Sequence, residues 1–318
     1  MTDHVRTAVQ ARQRHALISM LVGAALIGTN GMMVQLSETP PTVSAFWRML
    51  FAGVLLTLYV FARRGWQPLP RRAWLWALVP AAAFAADLWL WHRSILLVGP
   101  GLATLLANAQ VFFMALAGVL LFRERLGVRF ISGLVLAFLG LWLMLGGGWA
   151  TLPAQYRWGV WLGLGTGICY AAYNLSLRRA QQEAHAGDAQ HSSSTASSHV
   201  EQILAIASLG CALLLGAAGW AEGATFAIPT WRSFGILLVL AAIGHCLSWV
   251  LISRAMSQLR VALIGLLLLL QPIVAFLLDV GLLDRATTPR EWLGLAFSLA
   301  GIFIAGLKGR SRLPEQPA

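Results

Sequence analysis

The stretch LATLLANAQVFFMALAGVLLFRERL, residues 102–126, decides the fold class. From Leu102 to Phe122 only Thr104, Asn108 and Gln110 interrupt an apolar run, which then turns abruptly charged at Arg123, Glu124 and Arg125. About 20 apolar residues are what one helical crossing of a bilayer needs. A second stretch, ALIGLLLLLQPIVAFLLDVGLL at 262–283, has the same length and character. Its run Leu266–Leu270 does not alternate, as a strand of a membrane barrel would. Only helices satisfy their own backbone groups in lipid without a closed barrel. Both stretches are therefore expected to be membrane-spanning helices.

Working outward, further runs of this kind give ten expected spans at 16–36, 42–62, 73–91, 101–122, 128–147, 157–177, 201–221, 231–253, 261–281 and 291–307. The composition agrees. Of 318 residues 58% are apolar and 11% charged, whereas soluble domains run at about 25% charged. A water-facing surface of this size could not be covered by so few charges. The expected class is all-α, a polytopic membrane protein of ten helices.

The net charge of +11 sits in short clusters between the runs. That pattern suits topology anchors better than nucleic acid, and no nucleic-acid partner is expected. Lys and Arg number 17 on the side holding both termini and 5 on the other, with Arg48 inside the second span. Positive-inside then places both termini in the cytoplasm of an inner-membrane protein, with residues 1–15 and 308–318 as tails. The polar connection at 178–199, with His185, His191 and His199 irregularly spaced, reads as a flexible cytoplasmic loop. Trp66, Trp74, Trp149, Trp158 and Trp231 flank spans as interface anchors.

The chain repeats itself. At a shift of 161, Arg93 falls on Arg254, Gln110 on Gln271, Gly133 on Gly294 and Gly140 on Gly301; at about 144, Asn30 falls on Asn174. The repeats are read at 16–147 and 157–307. Five spans is an odd number, so the second copy enters the membrane from the opposite side. Two inverted five-helix repeats let two equivalent states face opposite sides of one central site. Gly159, Gly163 and Gly167 mark a close helix contact in the sixth span.

Polar groups inside spans are costly and face a bundle interior or a cavity. Asp87 and Trp91, and likewise His245 and Trp249, are four residues apart and share a helix face. With Asn30, Trp47, Arg48, Asn108, Gln110, Tyr170, Asn174 and Gln271 they are the candidate substrate-pathway residues. Pro272 frees a carbonyl one turn back and is a candidate kink. Asp87 and His245 are candidate proton-coupling groups, since histidine titrates near pH 6.5. Arg48 either binds a carboxylate bidentately or snorkels to the interface. No nucleotide, metal or catalytic spacing occurs, so no cofactor, metal site, catalytic residue or enzyme activity is expected.

These features resemble the drug/metabolite transporter superfamily, in particular its ten-helix EamA-type members. AFWRMLFAGVLL (45–56) is similar to the family's Arg-containing second helix, and 102–126 to its fourth helix and the following loop, matched here by Glu124, Arg125 and Leu126. The segment 262–283 retains Pro272, whereas Val111 stands where the first copy would carry a proline. Leu283, Asp284 and Arg285 replace an expected glycine–glutamate pair. The resemblance implies a cavity lined by the third, fourth, eighth and ninth helices, with the fifth and tenth as a peripheral pair. It implies a secondary carrier, more an exporter than an importer, of small organic metabolites such as amino acids or amphipathic aromatic compounds. Its partners would be that solute, membrane lipid and, as a candidate co-substrate, protons. The alternative is a solute-sensing or assembly protein in the membrane without turnover. Solute identity, direction and oligomeric state stay open at this point.

Overall fold

Four of the apolar runs fold in more than one piece, and the interruptions position the site. The computed structural model describes residues 3–63, 65–124, 126–145, 153–186, 196–282 and 287–306. Its elements are α1 (Asp3–Gly28), α2 (Asn30–Leu36), α3 (Pro41–Arg63), α4 (Arg71–Val98), α5 (Pro100–Ala107), α6 (Gln110–Leu120), α7 (Val128–Leu145), α8 (Ala154–Ala186) and α9 (Ala196–Ala221). They continue with α10 (Trp231–Ala241), a π-helical turn (Ala242–Leu247), α11 (Ser248–Met256), α12 (Val261–Leu267), α13 (Leu270–Leu282) and α14 (Pro289–Gly306). No strand occurs among the described residues. Seven helical stretches among them are long and apolar enough to cross a membrane: Arg12–Leu36, Pro41–Arg63, Arg71–Val98, Pro100–Leu120, His199–Ala221, Trp231–Met256 and Leu263–Leu282. The runs read at 128–147, 157–177 and 291–307 form α7, α8 and α14.

Each interruption has its own chemistry. Between α1 and α2, the Thr29 hydroxyl donates to the Leu26 carbonyl at 2.7 Å, and such back-bonding competes with the helix ladder. Between α5 and α6, Asn108 does the same, its Nδ2 donating to the Thr104 carbonyl at 2.8 Å. The Ala109 and Val111 amides then close three-residue turns onto Leu106 and Asn108. Between α12 and α13 the break falls at Leu268 and Leu269. Pro272 has no N–H to give, and the Leu268 carbonyl takes the Gln271 amide instead. An asparagine thus does in the first copy what a proline does in the second.

Packing brings distant runs together. The helix α4 lies against α8 and α9, α3 against α9, α1 against α11 and α13, and α6 against α12. The glycines of α8 face neighbours within the chain: a Cβ on Gly159 would meet Leu97 at 2.5 Å, and one on Gly163 would meet Leu106 at 2.7 Å. The helices α7 and α14 form an antiparallel seam. A Cβ on Gly140 would sit 2.4 Å from the Gly294 carbonyl, and one on Gly301 2.5 Å from the Gly133 carbonyl. Small residues let two backbones approach this closely. Outward faces carry large exposed apolar side chains, among them Leu58, Leu96, Leu121, Val128 and Leu213, as lipid contact requires and water does not favour.

The connection read at 178–199 is shorter than expected. Residues 178–186 continue α8, and α9 begins at Ala196 with His199 buried. The stretch AQQEAHA is made of good helix formers, and Arg179 pairs with Glu183 one turn on. The N-terminal tail is likewise helical from Asp3. Residues 187–195, His191 among them, Trp149, Arg125, residues 283–286 and the tail 308–318 lie outside the described residues.

Candidate functional site

The interrupted helices meet at a central cavity of about 40 Å³. Its walls come from both sequence copies. The break after α1 supplies Ile27 and Asn30, α3 supplies Arg48, and α4 supplies Phe84, Asp87, Leu88 and Trp91 from one face. Thr104 and Ala107 come from α5 and Asn108 from the break after it, Thr166 and Tyr170 from α8, Trp249 from α11 and Gln271 from α13. A volume of this size holds water but no metabolite.

The polar wall is only partly satisfied. Gln271 Nε2 donates to the Tyr170 hydroxyl at 2.8 Å. Asn30 Nδ2 donates to the Gly244 carbonyl of the π-helical turn at 3.0 Å, a carbonyl that also accepts the Ser248 hydroxyl at 2.9 Å. Gly244 is there for space, since a Cβ would lie 2.0 Å from Asn30 Oδ1. By contrast Asn30 Oδ1, Arg48 Nε, Asp87 Oδ1, Thr104 Oγ1, Asn108 Oδ1 and Trp249 Nε1 are buried without a hydrogen-bond partner among the described residues. Unpaired buried polar atoms cost about 1–3 kcal/mol each. Six such atoms line this one cavity. One aromatic wall is continuous: Phe84 stacks on Tyr173 at 4.2 Å between ring centroids, and Trp249 meets Tyr173 edge-on at 4.6 Å.

The remaining candidates lie elsewhere. Gln110 and Asn174 pair behind the cavity, Nδ2 of Asn174 donating to Gln110 Oε1 at 3.3 Å and to the Tyr170 carbonyl at 2.8 Å. His245 stands behind Phe84, its Nε2 3.1 Å from the Ser208 hydroxyl. Trp47 donates to the Phe226 carbonyl at 3.0 Å within a cluster of Phe46, Phe51 and Phe226 near one end of the bundle. The reading of single residues missed Phe84, Thr104 and Thr166. Helical spacing points to all three: Phe84 is three before Asp87, Thr104 four before Asn108, and Thr166 four before Tyr170. Among the described residues no three His, Cys, Asp or Glu side chains are grouped to hold a metal.

Ion pairs close the bundle at both ends of α9. Beyond its C-terminus, Glu222 is held by Arg93, by Trp89 Nε1 at 2.8 Å and by the Thr42 hydroxyl at 2.8 Å. The Arg93 guanidinium also lies 3.7 Å over the Trp89 ring. Partial burial pushes the Glu222 carboxyl up, but the Trp89 and Thr42 hydrogen bonds and the Arg93 charge outweigh it and hold it below its ordinary value. Near the other end, Glu201 is held by Arg254, the residue that matches Arg93 in the repeat. There too Glu124 accepts the Val261 amide at 2.8 Å, capping α12.

A model of the EamA-like transporter family matches the chain over residues 14–146 and again over 157–307. The chain is 24% identical over 305 residues to the uncharacterized transporter YwfM of Bacillus subtilis (strain 168), covering 94% of this chain and 96% of that one. It is 31% identical over 212 residues to the threonine/homoserine exporter RhtA of Escherichia coli (strain K12), covering 67% and 64%. One solved crystal structure superposes with a TM-score of 0.71 at 16% identity, over 92% of this chain and 96% of that one, which shows a shared fold. With both family matches falling on the apolar helices that enclose the cavity, the chain belongs to the EamA-like transporter family and is an integral membrane protein.

Proposed function

We propose that the chain is a secondary carrier in the inner membrane that exports small organic metabolites, with amino acids or amphipathic aromatic compounds as the solute class. The carrying observation is the buried cavity, walled by interrupted helices of both sequence copies and lined with unpartnered polar groups beside aromatic rings. The relative named as a threonine/homoserine exporter supports the class and direction.

The chain works as ten spans in two inverted five-helix repeats, with both termini cytoplasmic. Several contacts support this arrangement. Exchanging the copies turns the Gly133–Gly301 contact into Gly294–Gly140, and both are close approaches. The same exchange relates the packing of α4 on α8 to that of α11 on α1. Alternating exposure follows when one half rocks against the other. The Arg93–Glu222 pair then closes the outer end and the Arg254–Glu201 pair the cytoplasmic end. Of the two proton-coupling candidates Asp87 lines the cavity and His245 does not, so coupling is assigned to Asp87.

Counterflow in liposomes tests the reading. Purified full-length protein should exchange labelled threonine or phenylalanine across the membrane without chemical change. Asp87→Asn should flatten the pH dependence of that exchange, and His245→Gln should leave it. Binding without movement would replace the carrier with the solute-sensing alternative.

A further inference from the structure

The cavity holds one guanidinium and one carboxyl group that do not meet. Arg48 is 2% exposed and Asp87 5%, and both line the same 40 Å³ space. Among the described residues no ion pair joins them. Arg48 Nε and Asp87 Oδ1 each lack a hydrogen-bond partner. The guanidinium instead rests 5.8 Å from the Phe84 ring centroid. Elsewhere this chain does close its charges: Arg93 reaches Glu222, and Arg254 reaches Glu201, itself buried.

Keeping two opposite charges buried and apart is expensive. The effective penalty is several kcal/mol per ion, and attraction repays it only in good contact geometry. Arg48 on α3 and Asp87 on α4 lie on helices that pack together around one cavity. The rest of the lining divides sharply. Gln271 and Tyr170 satisfy each other, while Ile27, Leu88, Trp91 and Trp249 present an apolar and aromatic wall. The open polar valences are therefore those of a fork-shaped cation, a carboxylate acceptor and nearby amide and hydroxyl oxygens.

We infer that the cavity selects a zwitterion, with its carboxylate held by Arg48, its ammonium by Asp87, and its side chain against Trp91 and Trp249. This rests on the carrier reading and assigns two specificity-determining residues within it. The planar guanidinium offers two parallel donors to a carboxylate. The acceptor-only carboxylate of Asp87 takes the ammonium protons. A solute carrying one charge leaves the other protein charge buried and unpaired, which is the strongest basis a site has for rejecting an analogue.

The test uses matched trios in liposomes containing the full-length protein, with protein-free liposomes subtracted. One trio is L-threonine, its decarboxylated amine 1-amino-2-propanol, and its deaminated acid 3-hydroxybutyrate. The other is L-phenylalanine, phenethylamine and 3-phenylpropanoate. In the native protein at least one amino acid should exchange tenfold or more faster than both of its singly charged analogues. Arg48→Gln should erase its preference over the amine while keeping that over the acid, and Asp87→Asn should do the reverse. Arg48→Lys, which retains charge without the fork, should recover part of the first preference. Each variant is checked for an unchanged elution volume and a melting temperature no lower than that of the native protein.

Equal exchange of amino acid, amine and acid by the native protein would overturn the inference and leave the carrier reading standing. So would variants that slow all three members of a trio by one common factor, the signature of a structural role. No exchange of any of the six by a folded protein would overturn both the inference and the amino-acid class.

Discussion

The seam between α7 and α14 and the cavity between the interrupted helices solve opposite problems. In the seam Gly140 faces the Gly294 carbonyl and Gly301 the Gly133 carbonyl, leaving no room for a methyl group on Gly140 or Gly301. In the cavity, side chains are held apart and Arg48, Asp87 and Asn108 keep unpartnered polar atoms. The first region gives contact without chemistry, and the second gives chemistry without full contact. On the proposed reading, stability and function fall in different parts of one helical bundle, and substitutions should separate them.

The largest effect is expected in the seam. Gly140→Leu places its Cβ 2.4 Å from the Gly294 carbonyl before the rest of the side chain is counted. Overpacking of this kind costs about 1–3 kcal/mol when neighbours can shift, and backbone neighbours cannot shift cheaply. Gly140→Leu and Gly301→Leu should each lose most monodisperse protein in detergent. A wild-type melting temperature for either would break the comparison.

Gly244→Ala tests a close contact behind the cavity residue Asn30. Its Cβ would displace Asn30 Oδ1, 2.0 Å away, and disturb the hydrogen bond to the Gly244 carbonyl. A loss of about 1–3 kcal/mol is expected from the disturbed buried group. Asn30→Gly in the same chain should relieve most of the added strain. An additive double mutant in thermal unfolding would argue that the two sites do not touch.

Asp87→Asn sharpens the contrast by its sign. Removing a buried, unpaired charge costs no closed ion pair, so the melting temperature should stay level or rise while solute exchange changes. A clear drop in melting temperature would place Asp87 among the structural groups.

The smallest effect is expected at the bundle end. Arg93 and Glu222 are partly exposed, and such pairs contribute about 0.2–1 kcal/mol. The Glu222 carboxyl is held down in the folded protein, so its contribution is complete above the ordinary glutamate range near pH 4.3 and lost as pH falls through the lower folded value. Melting curves of the native protein and Glu222→Gln should run parallel from pH 8 to about 5 and converge in acid.

How much of this could be read from residues alone varies along the chain. The helices were legible wherever about twenty apolar residues ran together, because lipid leaves the backbone no other open choice. That Asp87, Trp91 and Trp249 line one cavity was legible in part, because helical spacing puts Asp87 and Trp91 on one face and Trp249 lies in the corresponding span of the second copy. Gln110 shows the limit. It matches Gln271 in the repeat, yet it pairs with Asn174 while Gln271 faces the cavity. The pairing depends on where α8 crosses α6, and periodicity within one helix carries no information about that crossing. The break at Asn108 was hidden for a different reason. Proline marks a break by lacking an N–H, whereas asparagine breaks a helix only when its amide turns back onto the Thr104 carbonyl.

Sequence alone determined an all-helical chain for a membrane, a pair of repeated segments and a short set of polar residues too costly to leave facing lipid. These follow from local composition and spacing, since the price of exposing a backbone or a charge to hydrocarbon is charged residue by residue. Tertiary structure decided which of those polar residues share one cavity, that Arg48 and Asp87 face it without closing into a pair, and that Arg93 and Arg254 clamp opposite ends of α9. Those outcomes depend on distances between helices far apart in the chain. Such distances are set by packing, where a glycine in place of a larger residue moves two backbones together and a single interrupted turn redirects everything after it.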